Sequence, residues 1–453
     1  MKRVLVANRG EIAVRVIRAC RALGLETVAV YSEADRGSLA TQLADRALCI
    51  GPPRSSDSYL RIDTMVTAAR GTGCDAVHPG YGFLAENAAF AEMCARSDLT
   101  FVGPPTQVIR LMGDKIAARQ FAAKLGVPVI SGTEDALHSV EEASAVAAEV
   151  GYPVLLKAAA GGGGRGMRIV RARGELREAF ERARAEAQAA FDDGRLYVER
   201  FVEEARHVEV QVLADEHGQC LHLGERDCSL QRRHQKLVEE APSPVLPDAL
   251  RRELLESAVT LAREAGYRSA GTIEFLVEPA RGRYYFLEMN TRIQVEHPVT
   301  EMVTGVDLVT EQFRVAAGSR LSFDQDQVHV RGHAIETRVN AEAPDAGFRP
   351  SPGRITSWAA PEGEGLRVDT HCFEGYVVPP FYDSLLAKTI AFGANREEAR
   401  SRLLAALERF TVEGIQTTIP FHRRVLAHSD FIESRIHTRW IEESFLGSGG
   451  RTS

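Results

Sequence analysis

Glu288, Asn290, Arg292, Gln294 and Glu296 occupy every second position of the stretch Glu288-Met-Asn-Thr-Arg-Ile-Gln-Val-Glu296. Alternate side chains of an extended chain share a face, so the spacing predicts one polar row of carboxylate, amide, guanidinium, amide and carboxylate. Met289, Ile293 and Val295 then turn to the core. The wet face of an ordinary strand rarely stacks these groups, and the row reads as a site. Upstream, Gly271-Thr-Ile-Glu274-Phe-Leu and Tyr284-Tyr-Phe-Leu-Glu288 flank Pro279-Ala-Arg-Gly-Arg283, which predicts a hairpin centred on Arg281. Positions equidistant from Arg281 then pair, and Glu274 faces Glu288. Two opposed carboxylates repel unless a cation lies between them, and a hard Mg²⁺ bridging to nucleotide phosphates suits paired oxygen ligands.

A second polar cluster runs Glu225-Arg-Asp-Cys-Ser-Leu-Gln231-Arg-Arg-His234-Gln-Lys236, with His207 upstream. Its unbroken polar segment from Gln231 to Lys236 is rich in positive charge and suits polyphosphate and small-anion contacts. Lys157 immediately precedes a glycine-rich segment, Gly161-Gly-Gly-Gly-Arg-Gly166, and Lys115 lies further upstream. That segment joins strand to strand, Val154 to Lys157 and Met167 to Val170, whereas a Walker loop or a dinucleotide fingerprint runs from strand to helix. No G-x-x-x-x-G-K-[ST] occurs. The expectation is a mobile hairpin flap that closes over phosphates through accessible N–H groups and orders when nucleotide binds.

The elements that must position these groups begin with short β-rich runs alternating with helical patterns: Arg3 to Ala7, a helix from Glu11 to Leu23, Thr27 to Tyr31, Ala76 to His78 and Thr100 to Val102. Such alternation predicts a parallel sheet wound on both sides, with ligands gathering at the loops after the strand C-termini, here Asn8 to Glu11 and His78 to Phe83. The fold class is α/β and α+β. It divides into a doubly wound N-terminal domain over 1–112, a helical connector over 113–129 centred on Asp114 to Leu125, a glycine-flap lid over 130–202, a C-terminal catalytic domain over 203–446 and a fraying tail over 447–453. Across 453 residues, 62 Asp plus Glu against 55 Lys plus Arg give a net charge of -7, which argues against a broad nucleic-acid footprint or binding to an anionic membrane surface. The seven cysteines (Cys20, Cys49, Cys74, Cys94, Cys220, Cys228, Cys372) form no C-x-x-C pair, so neither a disulfide framework nor a zinc site is expected. An apolar strand-like run starts at Val4, leaving no room for a signal peptide, and no stretch has the length of a bilayer span. The expected compartment is the cytoplasm.

Taken in order, Ala7-Asn-Arg-Gly-Glu11, His78-Pro-Gly-Tyr-Gly-Phe-Leu84, Gly161-Gly-Gly-Gly-Arg-Gly-Met167, Glu225-Arg-Asp-Cys-Ser229 with Gln231-Arg-Arg-His-Gln-Lys236, and Glu288-Met-Asn-Thr-Arg-Ile-Gln-Val-Glu-His-Pro-Val-Thr300 resemble biotin carboxylase over nearly the full chain. The resemblance implies an ATP-grasp fold with an N-terminal doubly wound domain, a mobile lid and a C-terminal domain that holds most of the site, assembled as a homodimer. It implies that Lys115, Lys157, Gly163, Gly164, His207, Gln231 and His234 surround ATP, with Glu199, Arg200, Phe201 and Val202 along the adenine edge. Glu274, Glu288 and Asn290 fall at the family's positions for Mg²⁺ or Mn²⁺, two ions being expected, and the two carboxylates also belong to the ATP site. Lys236, Arg292, Gln294 and Val295 match the bicarbonate pocket, Glu296 the general base, and Arg338 the group that faces the biotin ureido oxygen. One departure stands out: the four glycines are preceded by Ala159-Ala160, where relatives often carry a longer glycine run.

The implied chemistry is ATP-dependent activation of bicarbonate to carboxyphosphate, decomposition to CO₂, and carboxylation of biotin. No Met-Lys-Met motif occurs, and Lys2 alone follows a methionine, so the biotin must arrive on a separate carrier protein and its carboxyl group must leave through carboxyltransferase subunits. The commonest relative of this length is the biotin carboxylase subunit of acetyl-CoA carboxylase, in fatty acid biosynthesis. Subunits serving propionyl-CoA, pyruvate or 2-oxoglutarate look alike at this level. A different ATP-grasp ligase would share the flap and the paired carboxylates but lack Arg292-x-Gln294-x-Glu296. A catalytically silent nucleotide sensor would have lost metal or base residues, and none is missing.

Overall fold

The computed structural model describes residues 1–160 and 167–447. Gly163 and Gly164 lie outside the described residues, together with the rest of the glycine segment's core and the chain's last six residues. The N-terminal apolar runs form five parallel strands: β1 (Arg3–Val6), β2 (Glu26–Tyr31), β3 (Arg46–Cys49), β4 (Ala76–His78) and β5 (Thr100–Phe101), in the order β3-β2-β1-β4-β5. Alternation along β1 covers both faces. Val4 and Val6 pack with Ile12 and Val16 of the helix Gly10–Ala22, whereas Leu5 and Ala7 pack with Met65 and Ala69 of the helix Ile62–Gly71. The expected strands and the first helix fall within a residue or so of these bounds. β3 has no counterpart among the expectations: it is an edge strand whose residues are exposed or half-buried, so burial placed no apolar signature on it.

The loops after β1 and β4 are tied together, since Asn8 Nδ2 donates to the carbonyls of Pro79 and Tyr81, each at 2.7 Å. Gly80 is required at this crossing. Its φ is +64°, and a Cβ there would come within 2.9 Å of Asn8 Nδ2.

The helix Lys115–Lys124 is capped by Asp114, whose Oδ1 accepts from the N–H groups of Ile116 and Ala117. Beyond it, β6 (Val154–Ala158), β7 (Arg168–Val170) and β8 (Leu196–Arg200) form an antiparallel sheet in the order β7-β6-β8. The helices Val140–Val150 and Leu176–Phe191 share its core.

The largest sheet contains β9 (Arg206–Ala214), β10 (Cys220–Arg232), β11 (Gln235–Ala241), β12 (Ser269–Glu278), β13 (Arg283–Asn290), β14 (His333–Asn340), β15 (Leu366–Thr370) and β16 (Leu385–Gly393). Their order is β13-β12-β9-β10-β11-β14-β16-β15, and the neighbours run antiparallel. Helices pack against both halves, Asp248–Glu264 on β9 and β10 and Arg396–Arg409 on β14 and β16. Among the described residues no helix is long and apolar enough to cross a membrane. The seven cysteines are all free.

Register in this sheet sets up the chemistry. Glu288 on β13 pairs with Glu274 on β12, Glu274 pairs with Glu209 on β9, and Glu209 pairs with Arg226 on β10. Directly paired residues present their side chains on one face, so four charged groups cross four strands in a single row. The hairpin symmetry expected around Arg281 holds from Thr272–Asn290 to Glu274–Glu288. It then slips by one, because Leu287 is an extra residue in β13 and Phe275 pairs with Phe286.

Candidate active site

The charged row opens onto a cavity of about 740 Å³ lined by residues of both antiparallel sheets and of the loops that follow β1 and β4. Lys115, Lys157, His207, Gln231, His234, Lys236, Glu274, Glu288, Asn290, Arg292, Gln294, Val295 and Arg338 line it, so these separate stretches of sequence converge on one space. Glu296 lies behind the wall, fully buried. Glu199, Arg200, Phe201 and Val202 do not line the cavity. Glu199 pairs with Lys157, Arg200 donates to Glu278 and Tyr285, the Arg439 guanidinium lies over the Phe201 ring, and Val202 is buried with Ile130 and Ala205.

The expected extended row does not persist to Glu296. β13 ends at Asn290, the following residues are irregular, and the helix His297–Thr304 begins with Pro298 in its first turn. The cause is local. β13 is the edge of its sheet, so Thr291 N–H has no outer strand to pair with and donates to Glu86 instead. Pro298, with no N–H and a fixed φ, suits a helix start rather than a strand. Side-chain bonds replace the pleat in holding the group together. Arg292 Nη2 donates to Asn290 Oδ1 at 2.9 Å and Nη1 to Gln294 Oε1 at 2.9 Å, while its Nε donates to Glu86 at 2.8 Å. Val295 also departs from the alternation: it lines the cavity, and its carbonyl accepts from Lys388 Nζ at 2.8 Å.

Lys236 is the hub of one end. Its Nζ donates to Glu274 at 2.9 Å, to Glu296 at 2.7 Å and to Glu209. Burial alone would favour a neutral amine, but the carboxylates of Glu209, Glu274 and Glu296 hold the Lys236 pKa well above its ordinary value. Burial likewise pushes Glu296 up, and Lys236 and Arg338 overcome it, leaving the carboxylate ionised and its pKa below the usual range. Arg338 on β14 bridges two acids: Nε donates to Glu239 at 2.6 Å and Nη2 to Glu296 at 2.9 Å. Behind the hub, the fully buried Arg226 donates to Glu209, Gln211, Thr272 and Thr300.

At the other end, Lys115 Nζ lies 2.9 Å from Glu288. Burial lowers the Lys115 pKa, but Glu288 outweighs it and leaves the ammonium raised. His207 Nε2 sits 3.3 Å from Glu274, and despite its burial that carboxylate lifts the imidazole to about 9. The contact is a charge pair without hydrogen-bond alignment. Glu274, Glu288 and Asn290 offer oxygen donors alone from two adjacent strands. Glu274 Oε1 already draws donors from Lys236, Asn290 and Gln294, which marks this corner as one that attracts positive charge. The set therefore fits a hard divalent cation.

Several contributors carry no signature that sequence reasoning picks out. Glu209 is one, although it stands two residues after His207 on a strand and so shares its face. Glu239, Glu336 and Lys388 are others. Tyr81 reads in the sequence only as part of a loop, yet its hydroxyl donates to Glu11, which lies 3.1 Å from the fully buried Lys388 Nζ.

Three family models match successive segments of the chain. The biotin carboxylase N-terminal domain matches residues 1–109, the carbamoyl-phosphate synthase L chain ATP-binding domain 114–323, and the biotin carboxylase C-terminal domain 336–443. Biotin carboxylase 1 of Bacillus subtilis is 53% identical over 442 residues, covering 98% of each chain. A pyruvate carboxylase subunit of Methanothermobacter thermautotrophicus is 51% identical over 441 residues, 97% of this chain and 89% of that one. The biotin carboxylase domain dimer of Hydrogenobacter thermophilus 2-oxoglutarate carboxylase, solved with MgADP, ADP and bicarbonate, superposes with a TM-score of 0.95 at 49% identity, covering 98% of this chain and 97% of that one. On these matches and the fold beneath them, the chain belongs to the biotin carboxylase family, ATP-dependent carboxylating ligases built on the ATP-grasp fold.

Proposed function

We propose that the cavity binds ATP with its phosphates toward Lys115, Lys157, His207, Gln231, His234 and the glycine segment that includes Gly163 and Gly164, the adenine reaching past the cavity lining toward 199–202. Bicarbonate sits against Lys236, Arg292, Gln294 and Val295. Mg²⁺ or Mn²⁺ held by Glu274, Glu288 and Asn290 neutralises charge that builds on the phosphoryl oxygens. Glu296, ionised and bonded to Lys236, takes the bicarbonate proton as the oxygen attacks phosphorus to form carboxyphosphate. Carboxyphosphate releases CO₂ and phosphate, and the phosphate can remove the ureido proton of biotin. Arg338 then faces the negative charge that develops on the ureido oxygen. The residues 130–202 act as a lid over this space, between the N-terminal unit of 1–112 with its 113–129 connector and the catalytic unit of 203–446.

The observation that carries this reading is that one cavity is lined both by the Glu274–Glu288 pair, suited to phosphoryl transfer, and by Lys236 and Arg338, suited to carboxylation, which Glu296 joins from behind the wall. The biotin is carried by a separate protein, the enzyme works as a homodimer in the cytoplasm, and the carboxyl group passes through carboxyltransferase subunits to acetyl-CoA in fatty acid synthesis. Near-equal identity to a pyruvate carboxylase subunit supports a second reading for the final acceptor alone. The test is ATP hydrolysis by the purified protein. It should require bicarbonate and accelerate with free biotin; hydrolysis indifferent to both would contradict the reading.

A further inference from the structure

Glu239 on β11 and Glu336 on β14 are direct partners across the antiparallel ladder and are both fully buried. Their Cβ atoms therefore stand about 5 Å apart on one face of the sheet. Glu239 Oε1 accepts from Arg338 Nε, but Glu239 Oε2 and both oxygens of Glu336 meet no protein donor. Three buried acceptors without a donor on two directly paired residues are costly, and two carboxylates so placed do not both ionise. We propose that Glu239 and Glu336 share one proton, and that this pair is the positioning device for Arg338, fixing its Nε from behind so that its outer nitrogens face the site. This rests on the role proposed above for Arg338.

The charges around the pair agree. Arg338, Lys236, Glu296 and Cys228 face Glu239, and Lys388, Arg338 and Glu296 face Glu336. Burial pushes Glu239 up to about 7, with Arg338 pulling against it and Glu296 adding to the rise. Burial pushes Glu336 further above its ordinary value, with Lys388 opposing and Glu239 reinforcing. Lys388 gives Glu336 no hydrogen bond; its ammonium bonds the Val295 carbonyl and pairs with Glu11 and Asp369. With one proton the pair carries a single negative charge, enough to anchor Arg338. Losing that proton at alkaline pH would place a second negative charge behind the guanidinium and weaken its hold on a developing oxyanion.

Two measurements test this. The first is the pH profile of biotin carboxylation divided by biotin-independent, bicarbonate-dependent ATP cleavage, in the parent and in Glu336→Gln. A glutamine gives Glu239 a donor that cannot ionise, so the alkaline fall of the ratio should move up by at least one pH unit or vanish. In Glu239→Gln the ratio should drop about 10-fold with a higher KM for biotin. Parallel profiles for the parent and Glu336→Gln, with only a change in melting temperature, would reduce the pair to a structural role and overturn the proposal. The second is an infrared titration of the parent protein, which should contain a buried protonated carboxyl group at neutral pH that Glu336→Gln lacks. Its absence from the parent overturns the shared proton even if the variants fail to fold. A parent that cleaves no ATP with bicarbonate defeats the functional reading instead, and leaves the infrared result to judge the shared proton by itself.

Discussion

The two ends of the cavity hold charge in different ways. Toward the phosphate end Lys115 pairs with Glu288, with 18% and 28% of the side-chain surface exposed, and Lys157 pairs with Glu199 in a buried contact. Toward the carboxylation end each group serves several partners: Lys236 binds three carboxylates, Glu296 binds Lys236 and Arg338, and Glu209 binds Lys236 and Arg226. Glu209 and Glu296 there are wholly buried. A part-exposed pair such as Lys115–Glu288 can be exchanged for a substrate's own charges at little cost. A buried network cannot be exchanged, and it keeps dipoles and charges aimed before substrate arrives. The contrast suits one end to binding a polyanion and its metal and the other to guiding a reaction.

The comparison breaks most severely at Arg226. Arg226→Met should destabilise the protein by about 3–5 kcal/mol, because it leaves the buried Glu209 short of a cation and strands Gln211, Thr272 and Thr300. A lower denaturant midpoint is the readout, and carboxylation and ATP cleavage should fall together. At the exchangeable end, Glu288→Gln should instead spare the fold while lowering metal-dependent ATP turnover by about 10²-fold, roughly 3 kcal/mol. Unaltered turnover and Mg²⁺ dependence would remove Glu288 from the metal site. The smallest effect is expected at the rim. Arg233 and His234 form the turn between β10 and β11 with φ of 49° and 64°. Arg233→Gly should relieve the left-handed strain and, after the added freedom of the unfolded chain, raise stability by about 0.5 kcal/mol in the same denaturation assay.

The same contrast explains what could be read from the sequence. The parallel sheet was legible because β1 and β2 are apolar runs buried on both faces, and the hairpin was legible from its turn, although the turn-proximal register of Glu278 with Arg283 reaches the expected Glu274–Glu288 pairing only through the extra Leu287. Leu287 was not, since a bulge leaves no mark in a pattern of alternating types. Beyond Asn290 the alternation misled: the polar side chains do converge, but through Glu86, more than two hundred positions away, and not through a pleat. Glu209, Glu239 and Glu336 were invisible for a related reason. A glutamate in a strand reads as solvent-facing, and these are buried because partners distant in sequence, Arg226 and Lys236 for Glu209 and Arg338 for Glu239, offset the loss of water. Glu336 meets no hydrogen-bond donor, and only the register of β11 against β14 brings Glu239 to it.

The division of labour between the two ends is tested most directly at Arg338, by measuring biotin carboxylation and bicarbonate-dependent ATP cleavage on the same preparation of Arg338→Gln. If its guanidinium acts on the ureido oxyanion, carboxylation should fall by about 10² to 10³, roughly 3–4 kcal/mol, while nucleotide binding and much of the slow ATP cleavage persist. A proportionate loss of both activities, accompanied by a lower melting temperature, would contradict the account and leave Arg338 as a brace between Glu239 and Glu296.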